Sequence, residues 1–238
     1  MLIPVIILKE QFGVLPKSIL HVGAHEAEEF SDYQKHWAEQ NQAIYWVEGQ
    51  PDLVEKLIEK LDKDKNVIIS AYVWNTDGEV KDFMVSTNSQ SSSLLTFGTH
   101  ETKLPEIKID RIEQVVTSRL DSLLDRELVF DFINLDLQGV ELQALEGLGI
   151  FLNKTKWIYT EVNKEEVYEN CTKVQDLDRY LKSFGFRRII TLWCPGLGWG
   201  DALYVKKLNI KIFKALLNFR LNQIILACKI FVIERIKK

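Results

Sequence analysis

At 238 residues, 46% of them hydrophobic and 27% charged, the chain has an ordinary globular composition and length enough for one domain with a sizeable core. Its three cysteines, Cys171, Cys194 and Cys228, show neither metal spacing nor an even-numbered framework, which argues against a disulfide scaffold and suits a reducing compartment. The net charge of −4 hides an asymmetry: eight Lys/Arg and one acid fall between Lys207 and Lys238, leaving 22 basic and 33 acidic residues, a net −11, in a body that is therefore ill suited to nucleic acid.

Residues 2–15 form a short apolar piece ending at Pro16, expected to pack on a sheet edge. A secretory leader is not expected there, because 1–8 lacks a basic n-region and a small-residue cleavage site. No run reaches membrane-spanning length without a charge. Ile19, Leu20 and Val22 read as a strand buried on both faces. Gly23 and Ala24 then allow close approach to the backbone. Glu26, Glu28 and Glu29 place negative charge where the first turn of a helix over 26–40 favours it. Strand, turn and helix with a ligand at the turn fit a nucleotide-type cofactor, although a purely structural βα turn reads equally well.

A second strand over 43–47 ends at Glu48, and Pro51 opens a helix with apolar residues at 53, 54, 57, 58 and 61. A third strand covers 66–71, completing a β-α-β-α-β half of the doubly wound type. Glu48, about two dozen residues beyond Gly23, stands where a carboxylate accepts both hydroxyls of a ribose. The turn Asn75-Thr76-Asp77-Gly78 predicts a hairpin between 71–74 and 80–85. Residues 86–100 are polar, rich in serine and aperiodic; a linker and an active-site cover are both open, and the cover is favoured because Leu94, Leu95 and Phe97 follow the serines as anchors on the sheet.

Residues 113–118 read as extended and 119–124 as a short helix. The apolar strand 129–135 ends at Asp136, followed by Gln138-Gly139 and a helix over 140–146. A strand over 156–160 ends in Glu161-Val162-Asn163, a helix covers 174–184, and strands over 187–193 and 202–206 close the body. The tail over 208–236 has one apolar and one basic face, a pattern that serves equally for an anionic membrane surface, self-association or docking on the acidic body.

Four blocks in this order resemble the FkbM-type methyltransferases: His21-Val22-Gly23-Ala24-His25-Glu26, Val47-Glu48-Gly49, 134–142 (NLDLQGVEL) and 199–204 (WGDALY). The similarity runs from Ile19 to Lys206 and departs from the family at His21, which replaces an acid, at His25 and Ala27, which replace glycines, and at Gln138, where many relatives carry Glu. The resemblance implies an α/β, Rossmann-like class I fold over 1–206, with a doubly wound seven-stranded sheet whose last strand is antiparallel; the tail's own pattern adds a basic helix over 207–238. It implies S-adenosylmethionine as cofactor, O-methylation as reaction, and a sugar or glycan hydroxyl as acceptor; the cysteine usage and the tail pattern give a cytoplasmic protein, at the inner membrane face if its tail engages lipid.

Under that resemblance the cofactor falls to His21, Gly23, Ala24, His25, Glu26, Glu48, Ser70, Ala71 and Asp136. Strand-end carboxylates point into the same crevice as the cofactor, so Asp136 and Glu161, with the loop histidines His25 and His100, are the candidates for removing the acceptor's proton. Asp136, Glu161 and Asn163 offer oxygen donors that suit Mg²⁺ or Mn²⁺, the alternative being Glu161 acting as base alone. Gln90, Ser91, Ser92, Ser93 and Asp201 are the expected acceptor contacts. The rival readings are a non-catalytic binding or assembly subunit of the same fold and a nicotinamide-dependent oxidoreductase, which the missing glycines disfavour.

Overall fold

The computed structural model describes residues 1–37, 43–208 and 212–214. Helix α1 (Val5–Phe12) precedes β1 (Ile19–Val22), α2 (Phe30–Trp37), β2 (Ile44–Glu48), α3 (Pro51–Lys60) and β3 (Asn66–Ser70). A small sheet follows, built from β4 (Tyr72–Val73), β5 (Val80–Ser86) and β6 (Ile109–Ser118), with the single turn α4 (His100–Lys103) before β6. The second half runs through α5 (Leu120–Leu123), β7 (Phe132–Leu135), α6 (Glu141–Leu148), β8 (Trp157–Asn163), α7 (Val174–Ser183), β9 (Arg187–Trp193) and β10 (Trp199–Val205).

The main sheet has seven strands in the order β3-β2-β1-β7-β8-β10-β9. Pairing is parallel from β3 to β8, and β10 runs antiparallel to both β8 and β9. β1 and β7 are buried along their whole length, as their near-continuous apolar sequences require at the centre of a sheet covered on both faces. Each carries one polar residue, His21 and Asn134, and the two are register partners. Helices α1, α2 and α3 bury Leu8, Phe12, Tyr33, Trp37 and Leu57 against the face that holds Trp46 and Tyr159. The opposite face is covered through Leu120, Ala144, Leu145, Leu148, Leu177 and Leu181 of α5, α6 and α7.

Several elements depart from expectation. The apolar piece before β1 is a helix, not an edge segment: Val5, Leu8 and Phe12 fall on one helical face and share a core cluster with Ile19 and Phe132 of the central strands and Leu203 of β10. Helix α2 starts four residues later than the acidic cluster suggests, because His25 and Ala27 hold φ of 46° and 51°, values no helix permits. The expected hairpin does not form. β4 pairs parallel with β6, and β5 pairs antiparallel with β6, which lies between them and turns Val115 onto Phe83 and Val85. β8 extends to Asn163, so Glu161 and Asn163 lie within the strand instead of beyond it.

The serine-rich stretch is built into the fold. Ser93 bridges back to Met84 through two backbone hydrogen bonds of 2.8 and 3.1 Å, and Asn88 caps a 3₁₀ turn at Ser89–Ser91. Its apolar anchors reach other parts than the main sheet: Leu94 joins the small sheet's core, and Phe97 packs with Val167, Tyr168 and Cys171. The tail helix expected over 207–238 lies outside the described residues apart from 207, 208 and 212–214, of which Ile212 is buried. Among the described residues no helix is long and apolar enough to cross a membrane.

Candidate active site

Strand order reverses between β1 and β7, the place where an open α/β sheet opens a crevice at its carboxyl ends. Here that crevice is a cavity of about 420 Å³, walled by the ends of β1, β2, β7 and β8, the start of the reversed β10, and the serine loop. This is an ordinary size for a small-molecule site.

At its β2 end, Glu48 is only 8% exposed and accepts backbone N–H from His25, Gly49 and Gln50, each at 2.9 Å. It thereby joins the β1 turn to the start of α3. Burial pushes its carboxyl up, and the three N–H donors only partly offset that. The turn itself needs Gly23: at φ +83°, a Cβ there would lie 1.8 Å from the carbonyl oxygen of Asp136. His25 uses both ring nitrogens, Nδ1 with Glu28 at 2.5 Å and Nε2 with Ser89 Oγ at 2.8 Å. Partial burial draws its pKa down, but the bond to Glu28 and the charges of Glu28, Glu48 and Glu26 prevail and raise it. Glu28 is held down to about 2 against its own burial, chiefly by His25.

At the β8 and β10 end stand Asp136, Glu161 and Asp201, the last two register partners on adjacent strands. Asp136 is wetted from the cavity yet enclosed on its other sides. That enclosure, then the charges of Asp201 and Glu141, raises its carboxyl, and burial followed by Asp136 raises Glu161 well above the usual carboxylate range. Gln138 lies between them. Its Nε2 donates to Asp136 Oδ1 at 2.6 Å and to Glu161 Oε2 at 3.2 Å, while its Oε1 accepts the Tyr168 hydroxyl at 2.7 Å and its carbonyl accepts Ser93 Oγ at 2.8 Å. Asp201 Oδ2 accepts the Leu2 N–H at 2.6 Å and the Tyr159 hydroxyl.

Of the expected cofactor residues, His21, Gly23, His25, Glu48, Ala71 and Asp136 line the cavity. Ala24 is packed in the core, Ser70 ends β3 off the cavity, and Glu26 turns to the surface and pairs with Lys56 at 2.6 Å. His21 is buried and stacked on Trp46 at 4.9 Å between ring centroids, and desolvation lowers its pKa. The acceptor residues Gln90, Ser91, Ser92 and Ser93 all line the cavity, but their side chains also bind the protein: Gln90 donates to Glu28 at 3.1 Å, Ser92 Oγ accepts the Ser86 N–H at 3.1 Å, and Ser91 Oγ meets His100 Nε2 at 3.3 Å. His100 is 4% exposed, stacks on Phe97 at 4.2 Å, and is lowered by desolvation.

The three expected metal donors do not face one open space. Asn163 is off the cavity, and an amide donor occupies the space between Asp136 and Glu161. Among the described residues no three His, Cys, Asp or Glu side chains form a cluster suited to a cation. The donor set does not fit Mg²⁺ or Mn²⁺.

Sequence reasoning missed Gln138 as a hub and did not single out Tyr168, Glu28 or Trp199, which also line the cavity. The position of Gln138 just past a strand end was the available signal; its left-handed φ of 55° was not.

A doubly wound seven-stranded sheet with one reversed strand and its cavity at the switch point is the architecture of class I methyltransferases. The methyltransferase FkbM domain matches residues 21–188, and the chain belongs to the FkbM methyltransferase family. It is similar to the 2-O-methyltransferase NoeI of Sinorhizobium fredii, 28% identical over 131 residues, which are 54% of this chain and 52% of that protein; the chain thus aligns with about half the length of this curated relative. It also resembles the crystal structure of methyltransferase FkbM from Methylobacillus flagellatus, at a TM-score of 0.54 and 14% identity over 84% of this chain and 47% of that one, a likeness of fold.

Proposed function

We propose that the chain transfers a methyl group from S-adenosylmethionine to a hydroxyl of a sugar or glycan. The observation that carries this reading is that Glu48 faces one cavity with Asp136 and Glu161 from the other side of the β1/β7 switch point. The printed name of the NoeI relative, a 2-O-methyltransferase, supports the reaction class.

The cavity's chemistry suits the cofactor. Six carboxylates line it, and among the described residues no Lys or Arg does, which favours a ligand bearing ammonium and sulfonium charges. Glu48 would take the ribose hydroxyls, with the Gly23–His25 turn and Ala71 beside it. S-Adenosylmethionine, when bound, supplies an electrophilic methyl carbon.

The chain's own work is alignment and proton removal. Burial raises both Glu161 and Asp136, the latter to about 7, and a general base gains from a proton affinity near the working pH. Gln138 fixes both carboxyl groups, and the serine loop forms one wall of the cavity. His25 has both nitrogens engaged, so it serves the turn and not the proton.

Calorimetric titration of the protein with S-adenosylhomocysteine and, separately, NAD tests the cofactor. Transfer of labelled methyl from S-adenosylmethionine to a panel of neutral oligosaccharides tests the reaction. Binding of NAD alone would sink the reading.

A further inference from the structure

Resting on that methyltransferase reading, the charge and shape of the cavity's far end go further and select among acceptors. Trp199 and Asp201 stand two residues apart on β10 and so share one face of the sheet, with Glu161 beside Asp201 in register on β8. Trp199 is half-buried, lines the cavity and packs against the cluster of Phe97, Val167 and Tyr168. One surface therefore joins a broad aromatic ring to two carboxyl groups.

Among the described residues, the only cationic groups lining the cavity are already paired with carboxylates. The imidazoles of His21 and His100 are lowered by desolvation, and His25, the one raised imidazole, is committed to Glu28. The Met1 amino group is taken by Glu29 at 3.0 Å. An incoming phosphate or carboxylate would shed its water beside Asp136, Glu161 and Asp201, acids that burial and then mutual repulsion already raise, and among the described residues no Lys or Arg lines the cavity to receive it. A neutral polyol meets the opposite situation: each hydroxyl can donate to a carboxylate oxygen, and the apolar side of the ring can rest on indole, which combines a large apolar face with a polar edge.

We propose that this chain's acceptor is a sugar ring without negative charge, neutral or bearing an amine, and that Trp199 is the wall against which the ring is held. Phosphorylated sugars and uronic acids are rejected because they add negative charge to a cluster of acids that already crowd one another.

The test uses the full chain saturated with S-adenosylhomocysteine and matched sets of probes. The sets are the methyl glycosides of glucose, galactose and mannose, their uronate counterparts and their 6-phosphates, with affinities read by saturation-transfer NMR or calorimetry. At least one neutral glycoside should bind, with its uronate and phosphate counterparts at least tenfold weaker. Trp199→Ala should weaken that glycoside at least tenfold and Trp199→Phe much less, while S-adenosylhomocysteine affinity, which also reports that the variant has folded, stays within twofold. The proposal is overturned if an anionic probe binds as well as its neutral counterpart, if Trp199→Ala binds glycoside like the parent, or if no glycoside binds the loaded protein. Failure of S-adenosylhomocysteine itself to bind is a separate outcome: it removes the methyltransferase reading and this proposal with it.

Discussion

The Nε2 of Gln138 donates a 2.6 Å hydrogen bond to Oδ1 of Asp136, from a backbone held at φ 55°. A glutamine in that conformation carries strain, and its four side-chain and carbonyl hydrogen bonds hold it there.

Gln138→Ala should therefore destabilise the fold by about 1–3 kcal/mol, the scale of leaving hydrogen-bonding groups without their partner. Gln138→Glu should be the more pH-sensitive variant. It exchanges a donor for a third carboxyl beside two raised ones, so its deficit relative to the parent should be small at pH 5 and large at pH 8. Chemical denaturation at the two pH values decides this; equal deficits would show that the amide does not govern the charge of the pair.

The parent protein should itself lose stability toward alkaline pH. Asp136, Glu141, Glu161 and Asp201 all have folded pKa values raised, in each case by burial first. A raised group contributes stability that is fully present below its unfolded value, about 4 for carboxylates, and lost as pH climbs through the folded value. Asp136 and Glu141 both reach about 7, so the decline should run from about pH 4 through pH 7. Groups with lowered values act in the opposite sense: Glu28 supports the fold above its unfolded value and is lost as pH falls toward 2, and His21 also disfavours acid. Glu141→Gln should flatten the alkaline decline in thermal melts and leave the acid limb alone. An unchanged alkaline slope would remove Glu141 from the set.

Much of the fold was legible in the sequence, for a physical reason. Buried parallel strands write themselves as apolar runs, so β1, β2, β3 and β7 fell close to where Ile19, Ile44, Asn66 and Phe132 begin them. Carboxylates at strand ends were equally readable, and Glu48, Asp136 and Glu161 all line the cavity. What the sequence concealed was long-range or conformational. The insertion of β6 between β4 and β5 depends on a partner dozens of residues away, while the Asn75–Gly78 turn signals a hairpin locally. The direction of Glu26 follows from positive φ at His25 and Ala27, angles that neither residue type announces.

Gly23→Ala should be among the most damaging single changes in the chain. A methyl group there meets the Asp136 carbonyl oxygen at 1.8 Å, and φ of +83° is costly for any L side chain. A loss of about 3 kcal/mol or more is expected, enough to unfold a marginal domain. Gly196→Ala is the matched control: its φ is +78°, but nothing lies within 4 Å of the added methyl group, so only the backbone cost of about 1 kcal/mol should appear. Similar losses for the two would show that the β1 turn can move away from β7.

Glu48 separates cofactor binding from stability, because it does two jobs with one carboxylate. It holds three backbone N–H groups of the β1 turn and the start of α3, and it faces the cavity. Glu48→Ala abandons those donors and should lower both stability and S-adenosylhomocysteine affinity, the latter by about 1–3 kcal/mol. Glu48→Gln keeps one carbonyl oxygen for the Gly49 and Gln50 N–H groups but turns its NH2 on the His25 N–H, so it should lose less stability than Glu48→Ala without matching the parent. Its amide has only one acceptor oxygen, however, where a ribose diol needs a second. The glutamine variant should therefore melt above Glu48→Ala and still bind S-adenosylhomocysteine roughly tenfold more weakly than the parent. Parallel melting and calorimetry on the two variants check this directly. If Glu48→Gln binds like the parent, the carboxylate serves only the turn, and the ribose lies elsewhere in the cavity.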